Sequence, residues 1–177
     1  MLGGLFTIAW ALLVTFLDAV YMTQYDSGLG SYSINGYHFW LLALCFLPFI
    51  VIGLWPLADQ KNWGRFYQNK GGFLGIFLDA FMRGLFVTLV DDTVYGLFKY
   101  VLGVWSVVDV AEWYRIQFCL SCDWFWWWAD FYFFRVAVTP RLMALTILGR
   151  ALVLVLYAVY RVINMRNLYK SGHAFIY

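Results

Sequence analysis

Long apolar runs that contain charged residues are the feature of this sequence that most constrains its fold. The chain of 177 residues is 64% hydrophobic, and several of its runs approach the roughly 20 apolar residues that a membrane-spanning helix requires. Only 12% of the residues are charged, about half of the usual globular share. A soluble core cannot use so much apolar surface, so the composition predicts an integral membrane protein. The charged residues inside the runs need polar partners, because each costs about 2.5–3.5 kcal/mol at the centre of a membrane helix.

The runs predict an all-α, polytopic membrane protein with about five transmembrane helices, within a range of four to six. The first run has no cationic start and no small-residue cleavage site, so it is predicted to be a retained span rather than a signal peptide. The run that begins at residue 72 is too long for one span and is divided at Asp91-Asp92-Thr93, with Asp92 as a helix cap. A shallow interfacial segment is the alternative there. The predicted spans are residues 5–21, 38–58, 72–90, 93–110 and 140–165.

Residues 116–135 are predicted to form an aromatic-rich helix in the membrane interface. Nine of the twelve residues from Asp123 to Phe134 are aromatic. Trp and Tyr favour the level of the lipid headgroups because they combine an apolar ring with a polar tip. A full span is the alternative for this segment. The tryptophans that are predicted to lie at the interface are Trp124, Trp126, Trp127 and Trp128.

Basic residues in the loops predict which end of each span faces the cytoplasm or its equivalent, such as the mitochondrial matrix. The loop after the second span carries Lys61, Arg65 and Lys70, and such loops stay on the cytoplasmic side. The later charges do not agree on one topology. If the aromatic segment is interfacial, Arg161 leaves the membrane on the opposite side, and if the segment spans, Arg135 is on the opposite side.

Four charged residues are predicted to make contacts inside the membrane. Asp79 and Arg83 lie four residues apart and share one face of a helix, which predicts an ion pair facing a neighbouring helix, with a proton or ion relay as the alternative. Lys99 lies on a face that also carries glycines, and such faces favour close helix packing. Arg150 lies about 15 Å beyond the start of its helix, so we expect it to contact another subunit or an anionic lipid.

Anionic lipid is the expected ligand of the basic residues near the membrane surface. The predicted contacts are Lys61, Arg65, Lys70 and Arg161, and cardiolipin is one lipid that such residues bind. The alternative for the loop residues is that they only determine topology. No cofactor other than a bound phospholipid is predicted.

The sequence contains no pattern that predicts catalysis. It lacks a Ser/His/Asp set, a phosphate-binding loop and a dinucleotide fingerprint. Cys119 and Cys122 have the spacing of a redox or metal pair, but a tetrahedral metal site needs two further ligands. His38 and His173 stand alone in the sequence. With a net charge of +2 and no basic tract, the chain is not predicted to bind nucleic acid.

One stretch, about residues 40–110, resembles the TM2 domain family. Gly64-Arg65-Phe66-Tyr67 resembles the Arg-Phe-Tyr element in the loop between that family's two spans. The run from Gly103 to Asp109 resembles the end of its second span, although Gly64 stands where the family usually has His. The resemblance implies two spans joined by a short loop and no particular activity.

These features predict a non-catalytic accessory subunit of a large membrane complex that acts in packing, lipid retention and assembly. A respiratory or other energy-transducing complex of the mitochondrial inner membrane is favoured, with the bacterial inner membrane as the alternative. Its partners would be other membrane subunits and lipids. A small transporter or a proton- or ion-conducting component remains an alternative, as does a membrane subunit of a secretion machine. An enzyme acting on lipid would need a His/Asp or metal cluster, which the sequence does not show.

Overall fold

The computed structural model describes residues 2–26, 37–55, 72–131 and 133–170, which form five helices and one two-stranded hairpin. Four of these helices, α1, α2, α3 and α5, are long and apolar enough to cross a membrane. The predicted class, an all-α helical membrane protein, is therefore confirmed, at the lower end of the predicted range of spans. The elements are α1 (Leu2–Asp26), α2 (Tyr37–Leu54), α3 (Gly72–Val101), α4 (Val107–Gln117), β1 (Trp127–Phe131), β2 (Phe134–Val138) and α5 (Pro140–Lys170).

The predicted division of the third run at Asp91-Asp92 is wrong, because α3 continues through both residues to Val101. Neither aspartate caps a helix; both side chains have partners on neighbouring helices, so the chain does not need to break there. The helix ends instead at Val101, and Gly103 follows it with a φ of 72°, the left-handed conformation that glycine tolerates. The predicted span 93–110 therefore does not exist. Ser106 then caps the short α4, in which Asp109 completes a capping box.

The predicted interfacial helix over residues 116–135 is also wrong, because most of the aromatic segment lies in a β-hairpin. Strands β1 and β2 pair antiparallel, with Trp127 opposite Val138. Aromatic and β-branched side chains favour such a pleated, half-buried surface. A disulfide between Cys119 and Cys122 precedes the hairpin, and α5 begins directly after it.

The contacts between helices define two ends of the bundle. Helices α1 and α3 run parallel, since Arg83 in the first half of α3 donates to the Gly3 carbonyl at the start of α1, and Phe16 packs on Phe98 further along both helices. Helices α2 and α5 run antiparallel to α3. We call the end that holds the start of α1 the terminal side, and the end that holds β1, β2 and α4 the hairpin side.

The middle of the bundle is apolar and closely packed. We call its buried side chains the apolar layer, and α2 and α3 approach closely beside it. A Cβ added to Gly84 would lie only 2.2 Å from Cδ1 of Phe46, so this position requires glycine. The apolar layer comprises Ala11, Val14, Cys45, Phe49, Ala80 and Val87.

Candidate functional site

Five charged side chains meet on the hairpin side of the apolar layer, and we call them the buried charge cluster. They are Asp18 of α1, Asp91, Asp92 and Lys99 of α3, and Arg150 of α5. Successive residues of a helix point about 100° apart. Asp91 and Asp92 can therefore serve different neighbours, one towards α1 and the other towards α5.

Arg150 and Asp92 form an ion pair that joins α5 to α3. The Arg150 and Asp92 side chains are only 17% and 23% exposed, respectively. Arg150 Nε also donates to the Thr146 carbonyl, at 3.0 Å. Arg150 therefore has a carboxylate partner within the chain, whereas its predicted contact with another subunit or a lipid stays a prediction.

Asp91 lies against α1 and is only 5% exposed. It interacts electrostatically with Asp18 and is hydrogen-bonded to Thr15. The Thr15 hydroxyl is also bonded to the Ala11 carbonyl, at 2.9 Å, and a hydroxyl has only one proton to share. One oxygen of Asp91, Oδ1, has no hydrogen-bond partner among the described residues. Asp91 is therefore the least satisfied carboxylate of the pair on α3.

Lys99 is the second cation of the cluster. Its side chain is fully buried, and its ammonium lies 5.6 Å from the Tyr95 ring and 5.8 Å from the Trp105 ring. It also interacts electrostatically with Asp18. Aromatic faces attract cations, so these rings help to hold the charge away from lipid.

Helix α4 covers the cluster on the hairpin side. Gln117 is fully buried, and its Nε2 donates to the Asp92 carbonyl at 2.6 Å. The Tyr114 hydroxyl donates to the Thr93 carbonyl, also at 2.6 Å. Both bonds attach α4 to the middle of α3, so the short helix does not lie free at the surface.

Among the described residues, the cluster has three carboxylates and two cations, which leaves one negative charge in excess if these five groups are ionised. A charge in a low-dielectric interior requires a counter-charge or a proton. The arrangement can therefore hold one proton or one cationic group.

A cavity of about 360 Å³ opens beside the cluster, between α2, α3, α5 and the hairpin. Asp91, Asp92 and Arg150 line it, and most of its remaining wall is apolar. Trp127 belongs to that wall, and its indole N–H has no hydrogen-bond partner among the described residues.

A second polar network joins α1, α3 and α5 on the terminal side of the apolar layer. Arg83 Nε donates to Asp79 at 2.8 Å, and Arg83 also donates to Thr7 and to the Gly3 carbonyl at 2.8 and 2.7 Å. The Tyr157 hydroxyl donates to Asp79 at 3.3 Å. The predicted pairing of Asp79 with Arg83 is therefore present, and we call these contacts the Asp79–Arg83 network.

The remaining predicted residues do not form one site. Lys61, Arg65 and Lys70 lie outside the described residues. Arg161 is exposed, with its guanidinium 5.9 Å from the Tyr157 ring. Among the predicted interfacial tryptophans, Trp124 and Trp128 are exposed, whereas Trp126 and Trp127 pack against an apolar cluster that the hairpin forms with α5.

The sequence interpretation missed Asp18 and Asp91 as site residues. Asp18 stands near the end of the first apolar run and Asp91 inside the third. An acid inside an apolar run was the available signal, since such a residue is by default a candidate functional residue.

No group of three or more His, Cys, Asp or Glu side chains in the described part of the chain is placed to hold a metal ion. No protein-family model matches this chain, and no curated protein or solved structure matches it either. The resemblance to the TM2 domain family therefore stays a prediction.

Proposed function

We propose that this chain is a non-catalytic accessory subunit of a larger membrane complex, as an energy-transducing complex would contain. The observation that carries the proposal is that the charged side chains within the spans join helices of the bundle to one another. The Asp79–Arg83 network joins α1, α3 and α5 at one level, and the buried charge cluster joins the same three helices at another. Such contacts stabilise a bundle in which the lipid offers no hydrophobic drive between helices.

The apolar layer supports the same proposal. Asp79 and Asp91 are about 18 Å apart along α3 at the standard helical rise, and Ala80 and Val87 lie buried between them. A conducting protein needs a polar or hydrated path from one side to the other. In the described part of the chain, the two charged sites are separated by packed apolar side chains.

The exposed apolar surface of the spans leaves room for partner subunits. Only 11% of the residues of α2 are buried within the chain, and 28% of the residues in the most apolar 18-residue stretch of α3. Exposed aromatic side chains on these two helices include Phe39, Trp40, Phe77 and Phe81. Lipids or neighbouring subunits would cover this surface, and the basic residues of the loop at 61–70 would retain anionic phospholipid.

A proton- or ion-conducting component is the second candidate, and one observation favours it. The cluster has an excess carboxylate, and Asp91 faces a cavity. In that function Asp91 would take up and release a proton, and the apolar layer would have to open during the cycle.

The test is gentle solubilisation of the tagged native protein, followed by native gel electrophoresis and mass spectrometry of the co-migrating proteins. Migration in a defined assembly of several partners is the expected result. Migration alone or as a small homo-oligomer would contradict the accessory function. Proton flux into liposomes, compared between the wild type and Asp91→Asn, would then test the second candidate.

A further inference from the structure

Asp91, which lines the cavity beside the buried charge cluster, has one carboxylate oxygen without a hydrogen-bond partner among the described residues. Asp91 is only 5% exposed. Its Oδ1 has no hydrogen-bond partner among the described residues. Its contact with Thr15 is shared with the Ala11 carbonyl. A buried acceptor without a donor is costly, so this position favours a ligand that donates hydrogen bonds.

The net charge of the cluster indicates that the ligand is a cation. Arg150 is bound to Asp92, and Lys99 interacts with Asp18 and two aromatic rings. Asp91 also interacts electrostatically with Arg150, but Arg150 is already paired with Asp92, so the three carboxylates share two cations among the described residues. A primary ammonium group supplies both a positive charge and N–H donors, whereas a hydroxyl supplies only a donor.

The residues that line the cavity indicate the chemistry of the part of the ligand beyond its hydrogen-bond donor. Leu41, Val138, Leu142 and Met143 line it together with Trp127. A volume of about 360 Å³ lies at the small end of ligand cavities, which range over roughly 300–1,000 Å³ and are mostly apolar with a few polar groups. The body of the ligand is therefore apolar.

We propose that this cavity binds the primary ammonium group of an amphiphile, with the ammonium on Asp91 and the apolar body against the hairpin and α5. The ammonium can come from the headgroup of an aminophospholipid or from a free hydrophobic amine. The proposal goes beyond the accessory function, because it assigns a ligand to a site rather than a partner to the chain.

The test uses three probes with the same apolar chain, octylamine, octanol and octanoate, added to the purified full-length protein in detergent. Native mass spectrometry counts bound molecules, and a titration compares their affinities. We expect one octylamine per chain and at least about tenfold weaker binding of octanol, because the hydroxyl lacks the charge. Equal binding of octylamine and octanol would overturn the proposal, since Asp91 would then be satisfied by a proton.

Two variants with matched controls keep the test independent of a folding defect. Asp91→Asn should remove the preference for octylamine, whereas Asp123→Asn, in an exposed ion pair, should keep it. Leu142→Trp fills part of the cavity without changing its charge and should weaken octylamine binding about tenfold or more. Leu145→Trp, on an exposed part of the same helix, is its control. Equal affinities in Leu142→Trp and Leu145→Trp would contradict binding in this cavity.

Purifying the protein from membranes with and without phosphatidylethanolamine distinguishes an aminophospholipid ligand from a free amine. One phosphatidylethanolamine per chain that octylamine displaces would identify a lipid ligand. Octylamine binding without any retained lipid would identify a free amine. Binding of neither would overturn the proposal and leave the accessory function unaffected, because that function is tested by co-migration.

Discussion

Replacing Arg150 with leucine tests whether the buried charge cluster stabilises the bundle. The substitution removes the partner of Asp92 and leaves Lys99 as the one cation that faces the three carboxylates among the described residues. Removing one member of a buried ion pair typically costs about 3–5 kcal/mol, because the other charge stays buried without a partner. The helix should still insert, since leucine is more favourable in a membrane than arginine.

The cost of protonating Asp92 sets an upper bound on the stability that Arg150→Leu can remove. If burying the Asp92 carboxylate without Arg150 costs more than protonating it, the carboxyl takes up a proton instead. Protonating a carboxyl with an ordinary pKa of about 3.9 at pH 7 costs about 4 kcal/mol. We therefore expect Arg150→Leu to lower the free energy of unfolding by about 3–4 kcal/mol at pH 7.

The assay is reversible unfolding in mixed detergent and dodecyl sulfate micelles, followed by circular dichroism. Arg161→Leu is the matched control, because Arg161 is exposed and its contact is with the Tyr157 ring, which is worth about 0.5–1 kcal/mol. The double variant Arg150→Leu/Asp92→Leu should regain most of the loss, since neither member of this ion pair is then left without the other. The reasoning is refuted if Arg150→Leu costs no more than Arg161→Leu.

Two further substitutions test the packing and the capping of the fold. Gly84→Ala should lower the free energy of unfolding by about 1–3 kcal/mol, because its Cβ would collide with the Phe46 ring. Gly149→Ala, where nothing lies within 4 Å, should be neutral or stabilising in the same unfolding assay. In α4, the Ser106 backbone N–H and hydroxyl hold the pKa of Asp109 below its ordinary value of 3.8. The Asp109 contribution should therefore be present above about pH 4 and lost as the pH falls below it, so that wild type and Asp109→Ala converge in acid.

The sequence was sufficient for the features that depend on local spacing. The apolar runs predicted the membrane fold because each span must satisfy its backbone within one helix. The four-residue spacing of Asp79 and Arg83 predicted their pairing, since such residues are neighbours on any helix. The partners that Arg83 finds on α1 were not predictable, because they depend on how α1 and α3 pack together.

The errors arose where a tertiary contact changes the meaning of a local pattern. Asp91-Asp92 resembled a helix start, but Thr15 and Arg150, which are distant in sequence, give these side chains partners inside a continuous helix. The aromatic segment at 127–138 resembled an interfacial helix because Trp and Phe suit either environment. Its strand pairing depends on Val136 and Val138 meeting the aromatic strand in register, which composition does not reveal.

The missing span removes the conflict at Arg161 but leaves Arg135 on the hairpin side, and the balance of the basic residues gives the last prediction. Because α3 is one helix, the end of α5 lies on the same side as the start of α3, and the loop with Lys61 and Arg65 directly precedes α3 in the sequence. On the hairpin side, Arg141 and Arg115 are paired with carboxylates. We therefore expect the terminal side to face the cytoplasm or matrix.

The disulfide between Cys119 and Cys122 then lies on the opposite side, where an oxidising compartment such as the periplasm would maintain it. The measurement uses sealed vesicles of defined orientation, a membrane-impermeant reductant and an impermeant thiol reagent. Reduction and labelling should occur when the non-cytoplasmic face is outward, and Cys45 should stay unlabelled because it is buried. Labelling of this pair only from the cytoplasmic face would invert the topology, and the positive-inside argument would then fail for this chain.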